Sequence, residues 1–316
     1  MRSHLIAALF SEFKESIKSP DTEEKLDLVL YRPCGFLIAK ISYVLSITPS
    51  MLSIFGLLSG FASAYYFLQT DNTQALIFAS FFLVLSGIFD SADGQLARLA
   101  NQSTKLGLIL DGICDSFVMI SVYITCTLPY VHQYGIFFAP LSFVAIYLHS
   151  YQCAILDFYH REYLYFGYGK TSEDTYWNPS ISDCQNTMDN SATKRERFMH
   201  SLRMTWIKKQ QQLTTRTDLQ RKTMREYILT CGPEKKEVFM QSYRRNNRWL
   251  LPYWRLIGVN AHTFLIIVFM FLRRFDLYLV VFDLILFNII IFVVGIMQKK
   301  ADDKFFAELN LQDHAE

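Results

Sequence analysis

Four aspartates, Asp90, Asp93, Asp111 and Asp115, lie inside or beside two long apolar stretches. A carboxylate within a membrane helix costs about 2.5–3.5 kcal/mol on insertion scales, so four together demand a compensating charge. The spacing of three between Asp90 and Asp93, and of four between Asp111 and Asp115, puts each pair on one face of a helix. The short connection from Ala100 to Thr104 folds the two helices into an antiparallel hairpin, with the carboxylates gathered near one end. Arg98 alone cannot neutralise them. Hard divalent cations with oxygen ligands, Mg²⁺ or Mn²⁺, can, and such ions bridge substrate phosphates. Gly94, Ala97 and Gly107 line the same faces and lack bulk. They admit close approach of a ligand, or close packing of two membrane helices. The rival use of intramembrane acids is a cation or proton transporter.

These acids need helices to hold them, and the composition supplies helices of the membrane kind. The 316 residues are 51% apolar and 19% charged, with a mean hydropathy of +0.16. That composition excludes disordered and collagen-like chains. Six windows, near 50–69, 75–99, 104–128, 135–160, 250–272 and 276–298, reach the roughly 20 residues that a bilayer crossing requires. The predicted fold is therefore an all-α integral membrane protein with six transmembrane helices. Leu5, Leu9, Phe13 and Ile17 recur at spacing four and predict an amphipathic N-terminal helix lying on the membrane surface.

Residues 161–249 break the apolar pattern. With 17 basic against 10 acidic residues they carry a net +7, whereas the whole chain carries +2. They read as a cytoplasmic helical insert between the fourth and fifth spans. The expected organisation is 1–49 at the interface, 50–160 as four spans with the acidic motif, 161–249 as insert, 250–298 as two spans, and 299–316 as tail. The insert and both ends hold most of the Lys and Arg. By the positive-inside rule the termini, insert and acidic site face the cytoplasm. Six cysteines show no metal-type spacing and are expected as free thiols. The near-neutral total gives no nucleic-acid footprint.

The run Asp90-x2-Asp93-Gly94-x2-Ala97-Arg98-x8-Gly107-x3-Asp111-x3-Asp115 resembles the complete motif of the CDP-alcohol phosphotransferases, eight identities over 26 residues. Arg32-Pro33 and Ile47-Thr48-Pro49 resemble the segment that leads into the family's first span, although Ser50 stands where the family often has Asn. The resemblance implies attack by an acceptor hydroxyl on the phosphoryl of a CDP-linked alcohol, with CMP leaving. It implies a two-metal site of Mg²⁺ or Mn²⁺ on Asp90, Asp93 and Asp111. Asp115 would share a metal or act as the base. Gly94, Ala97, Arg98 and Gly107 would receive the CDP moiety. It also implies a homodimer among membrane lipids.

For the acceptor, the fourth span carries His149, Gln152, Cys153, Asp157 and His160 as a polar stripe, and the fifth carries Arg255, Asn260 and His262. Arg255, His149, Asp157 and His262 are the candidates. Arg255 binds an acceptor phosphate, or pairs with Asp283 or a lipid headgroup. By analogy with the family, six spans rather than about ten favour phosphatidyl transfer from CDP-diacylglycerol to inositol, inositol phosphate, serine or glycerol phosphate. The alternative passes phosphoethanolamine or phosphocholine from a soluble CDP-alcohol to diacylglycerol or ceramide. Gly56 and Gly60 form a GxxxG pair that suits helix association.

Overall fold

The computed structural model describes residues 11–14, 16–17, 21–102, 104–169, 185–186, 188–191, 193–211 and 214–309. Among these the chain is helical, without a strand, and six helices are long and apolar enough to cross a bilayer. That is the pattern of a multi-pass membrane protein. The first ten residues, with Leu5 and Leu9 of the expected surface helix, and Cys184 lie outside the described residues. The other five cysteines are free thiols.

The chain divides into two compact units, Met1–Ser150 with Val259–Ile285, and Tyr151–Gly258 with Leu286–Glu316. In the first unit, α1 (Arg32–Val44) precedes α2 (Pro49–Phe67), α3 (Thr73–Leu99) and α4 (Lys105–Tyr134). The boundaries are written in the sequence. Thr48 caps α2 by accepting from the Met51 N–H, and Pro49 occupies the first helical turn, where its missing N–H costs nothing. Asn72 caps α3, and Thr104 caps α4 by accepting from the Gly107 N–H at 3.0 Å. The turn between α3 and α4 passes through Asn101 at φ 51°, a left-handed conformation that Asn tolerates better than most residues.

Gly56 and Gly60 are buried within this unit rather than forming an outward association face. A Cβ at Gly56 would stand 3.4 Å from Phe89, and one at Gly60 only 2.3 Å from Val118 Cγ2. The pair brings α2 against α3 and α4, which is the packing use of small residues in membranes. Valine is branched at Cβ and cannot swing clear. Gly60→Ala is therefore predicted to lower stability by about 1–3 kcal/mol, and Val118→Ala to restore part of it. Thermal melts of the single and double variants test this; an unchanged melting temperature in Gly60→Ala would refute the close packing.

Further into the first unit, α9 (Val259–Phe271) and a nine-residue π-helical run, Tyr278–Leu286, complete a buried polar cluster. Tyr123 Oη donates to Asp283 Oδ2 at 2.8 Å and lies 2.6 Å from Tyr278 Oη. His149 Nδ1 meets Tyr123 Oη at 3.1 Å, and His262 Nδ1 meets Tyr278 Oη at 2.7 Å. All five residues are buried. Polar side chains in a bilayer are tolerated when they satisfy one another in this way.

The second unit takes in the polar stretch 161–249. The fourth span, α5 (Ala139–Tyr168), runs eight residues beyond the predicted end at 160. Tyr163, Tyr165 and Phe166 explain the extension. They continue the helix and bury against Met224 and Ile228 of α7 (Asp218–Thr230), Phe239 and Tyr243 of α8 (Pro233–Asn247), and Phe305 of α10 (Phe287–Glu308). The insert is thus built on an aromatic core. Pro252 and Gly258 break the chain between α8 and α9 into short turns, so the fifth span begins less regularly than its hydropathy predicts.

Between α6 (Lys194–Gln211) and α7, Arg216 is buried with Glu162 and Asp302 as ion-pair partners. Burial lowers its pKa, but the Asp302, Tyr243 and Glu162 groups outweigh that and hold the guanidinium above its ordinary value. Tyr243 Oη accepts from Arg216 Nη1 at 3.0 Å, and Gln298 Nε2 donates to Asp302 Oδ1 at 2.8 Å. Removing one partner of such a cluster leaves uncompensated buried charge, at a cost of about 3–5 kcal/mol. Arg216→Met should lower the melting temperature sharply, and adding Glu162→Gln and Asp302→Asn should recover part of the loss. A single variant as stable as wild type would show the pairing to be energetically idle.

Candidate active site

After the turn at 100–104, α3 and α4 pack chiefly on α2 rather than along each other as the expected hairpin would, and the acids come together across that arrangement. Asp90, Asp93 and Asp111 each offer an oxygen within 4.8 Å of the others. Asp115, one helical turn beyond Asp111, lines the same cleft. Ser53, Gly56 and Leu57 of α2, Ser86 of α3 and Cys114 of α4 complete the lining. Asp93 is the most enclosed of the four at 5% exposure, while Asp90 and Asp115 are exposed and Asp111 is half-buried. Ser53 Oγ donates to Asp93 Oδ2 at 2.5 Å.

The donor set suits a divalent cation. It consists of carboxylate oxygens, which select hard ions. Two such oxygens on opposite sides of one Mg²⁺ stand about 4.2 Å apart. The three oxygens, all within 4.8 Å of one another, are close enough together to share a cation. Two ions about 3.5–4 Å apart could also share oxygens of this kind.

The other motif residues, Gly94, Ala97, Arg98 and Gly107, are not among the residues that line the cleft. A Cβ at Gly94 would come 3.5 Å from the Arg98 guanidinium, so the glycine leaves that group room. Arg98, expected to reach a phosphate, donates through Nε to the Ser16 carbonyl at 2.8 Å. Gln95 Nε2 reaches Ser16 Oγ and the Arg32 carbonyl, at 3.1 and 3.2 Å. Arg32 in turn pairs with Glu23 at 2.9 Å. Asn260 donates to Glu24 and Asp27, at 3.0 and 2.9 Å. Burial, countered by the Asn260 hydrogen bond, holds the Asp27 carboxyl above its ordinary range. The segment before α1 is in this way tied to the motif-bearing helix. Gly107 stands at the cap of α4, where a Cβ would approach Thr104 Oγ1 to 3.1 Å.

The four acceptor candidates divide. His149 and His262 come together, with ring centroids 4.0 Å apart, in the buried tyrosine cluster. Asp157 and Arg255 belong to the second unit. Asp157 is ion-paired with Arg161, one turn on along α5, and Arg255 occupies a short 3-10 turn. Sequence reasoning did not pick out Ser53, Tyr123 or Tyr278. The one signal for Ser53 is its place one turn after Pro49.

Comparison with known proteins agrees with the motif. Residues 46–172 match the CDP-alcohol phosphatidyltransferase family, so this part of the chain carries that family's domain. A protein of Mycobacterium tuberculosis (strain H37Rv) named "Putative cardiolipin synthase" is 52% identical over 40 residues, 13% of this chain and 19% of its own. The phosphatidylinositol phosphate synthase of Corynebacterium glutamicum is 33% identical over 110 residues, 34% of this chain and 47% of its own. The CDP-diacylglycerol–glycerol-3-phosphate 3-phosphatidyltransferase of Cereibacter sphaeroides is 33% identical over 79 residues, 25% of this chain and 36% of its own. The chain thus spans less than half the length of these curated relatives. No solved structure matches it.

Proposed function

We propose that the protein is a metal-dependent phospholipid-forming transferase. It moves a phosphatidyl group from CDP-diacylglycerol to the hydroxyl of a polar acceptor and releases CMP. The observation that carries this reading is the convergence of Asp90, Asp93 and Asp111 in one cleft, with Asp115 on its edge, in a segment that matches the family. The relatives named as a phosphatidylinositol phosphate synthase and as a CDP-diacylglycerol–glycerol-3-phosphate 3-phosphatidyltransferase support phosphatidyl as the transferred group.

In this mechanism Asp90, Asp93 and Asp111 hold divalent cation, which when bound neutralises charge on the diphosphate and on departing CMP. Asp115 accepts the proton of the acceptor hydroxyl. The hydroxyl oxygen forms the new bond to the phosphatidyl phosphorus, and the bond from that phosphorus to the CMP oxygen breaks. Gly94 and Ala97 leave space for the nucleotide against α3. Positioning and electrostatics provide most of the catalysis in phosphoryl transfer. By the positive-inside rule the cleft opens on the cytoplasmic side, where CDP-linked substrates are available.

Detergent-purified protein supplied with Mg²⁺ or Mn²⁺ is tested against CDP-diacylglycerol, CDP-ethanolamine and CDP-choline, each with its class of acceptor. CMP release is followed and the lipid product identified by mass. A phosphatidyl product supports the proposal. A product formed only from a soluble CDP-alcohol and diacylglycerol or ceramide would replace the donor assignment. Absence of CMP with every donor would overturn the transferase reading.

A further inference from the structure

We infer that Ser53 is a positioning residue for the candidate metal centre, orienting Asp93 by a hydrogen bond from a different helix. The inference rests on the metal-centre reading above. Ser53 and Asp93 are both buried, at 6% and 5% exposure. Ser53 Oγ stands 2.5 Å from Asp93 Oδ2 and 3.3 Å from the carbonyl of Pro49, one turn back on α2. A serine hydroxyl has one proton to donate. The shorter contact falls in the range of charge-assisted O–H to carboxylate bonds, about 2.5–2.7 Å, so the proton goes to the carboxylate. This bond fixes the plane of the Asp93 carboxylate and occupies one oxygen, which directs the other toward a cation shared with Asp90 and Asp111.

Two surrounding features hold the hydroxyl in place. The Thr48 cap and Pro49 set the start of α2 one turn before Ser53. One turn after it, Gly56 lets α2 approach α3, and Ser86 Oγ donates to the Gly56 carbonyl at 2.8 Å. Asp93 therefore meets a donor on a rigid neighbouring helix. Groups that hydrogen-bond a metal-ligating carboxylate orient it, and their loss typically weakens metal affinity or activity by about 10–100-fold.

The test is Mn²⁺ binding to the full-length, detergent-purified protein, read from the electron paramagnetic resonance signal of free Mn²⁺, alongside a thermal melt. Wild type, Ser53→Ala, Ser53→Thr and Asp93→Asn are compared. The expected result is a dissociation constant at least about tenfold higher in Ser53→Ala and close to wild type in Ser53→Thr, which keeps the hydroxyl. A role confined to helix packing would lower the melting temperature of Ser53→Ala and leave Mn²⁺ binding unchanged; that result overturns the inference. Should the alanine variant fail to fold, Ser53→Cys replaces it, since the thiol keeps the volume and donates weakly; unchanged Mn²⁺ affinity there overturns the inference equally. If wild type binds no Mn²⁺ and Asp93→Asn makes no difference, the metal-centre reading itself fails. If Asp93→Asn loses binding while Ser53→Ala keeps it, only the role of Ser53 fails.

Discussion

Asp115→Asn is expected to fold, to bind Mn²⁺ as wild type does, and to release CMP about 10²–10⁴-fold more slowly, the usual worth of a general base. The amide matches the carboxylate in size and still accepts a hydrogen bond, but it cannot take up a proton at neutral pH. The geometry motivates the choice. Asp90, Asp93 and Asp111 form the close oxygen group, and Asp115 lines the cleft one turn farther along α4. Asp115 also reaches Asp90 by a side-chain hydrogen bond, so the variant decides between base and ligand. Initial rates of CMP release and Mn²⁺ titration of the same preparation check it. An undiminished rate would remove Asp115 from the chemistry. Loss of Mn²⁺ binding together with the rate would make Asp115 a ligand instead.

Exhaustive chelation should abolish transfer, and returning Mg²⁺ or Mn²⁺, but not Na⁺ or K⁺, should restore it. Three carboxylates this close repel one another in a low-dielectric setting, and the motif holds a single basic residue, Arg98, against four acids. Arg98 donates its Nε to a backbone carbonyl. A bound cation would both hold the acids together and receive the substrate diphosphate. Charge stabilisation of several kcal/mol by a metal corresponds to a fall of about 10³-fold or more in rate. The check is the rate before chelation, after it, and after metal is returned. Activity that survives removal of divalent ions would overturn the metal-centre reading, whatever the fate of Asp115.

The acidic cluster was legible because it is local. Spacings of three and four and a five-residue turn place Asp90, Asp93, Asp111 and Asp115 near one another, and the packing of α3 and α4 on α2 completes the cleft. Thr48 and Thr104 are of a residue type that favours the cap positions they take. Ser53 was not, since it lies 40 residues from Asp93 and meets it only because α2 packs on α3. The same holds for Tyr123, His149, His262, Tyr278 and Asp283. Each polar residue is visible within an apolar window, but their convergence depends on where separate spans come together. Gly56 and Gly60 carry a small-residue pattern that serves contacts within a chain and between chains alike. Only the neighbours Phe89 and Val118 show that it is used within one. The helix of the fourth span continues past 160 to Tyr168, with Glu162 neutralised by Arg216, 54 residues on.

That last pairing bears on how the polar stretch could be exchanged between proteins. Glu162 lies on the fourth span, Asp302 on the last, and Arg216 on the stretch between α6 and α7. A splice that deletes 170–249, or grafts in a shorter connection from a relative, would leave two carboxylates without their cation. A transplant of the insert alone would carry a guanidinium with no acid to receive it. The three residues are expected to travel as one module, and chimeras that move them together are the ones predicted to fold.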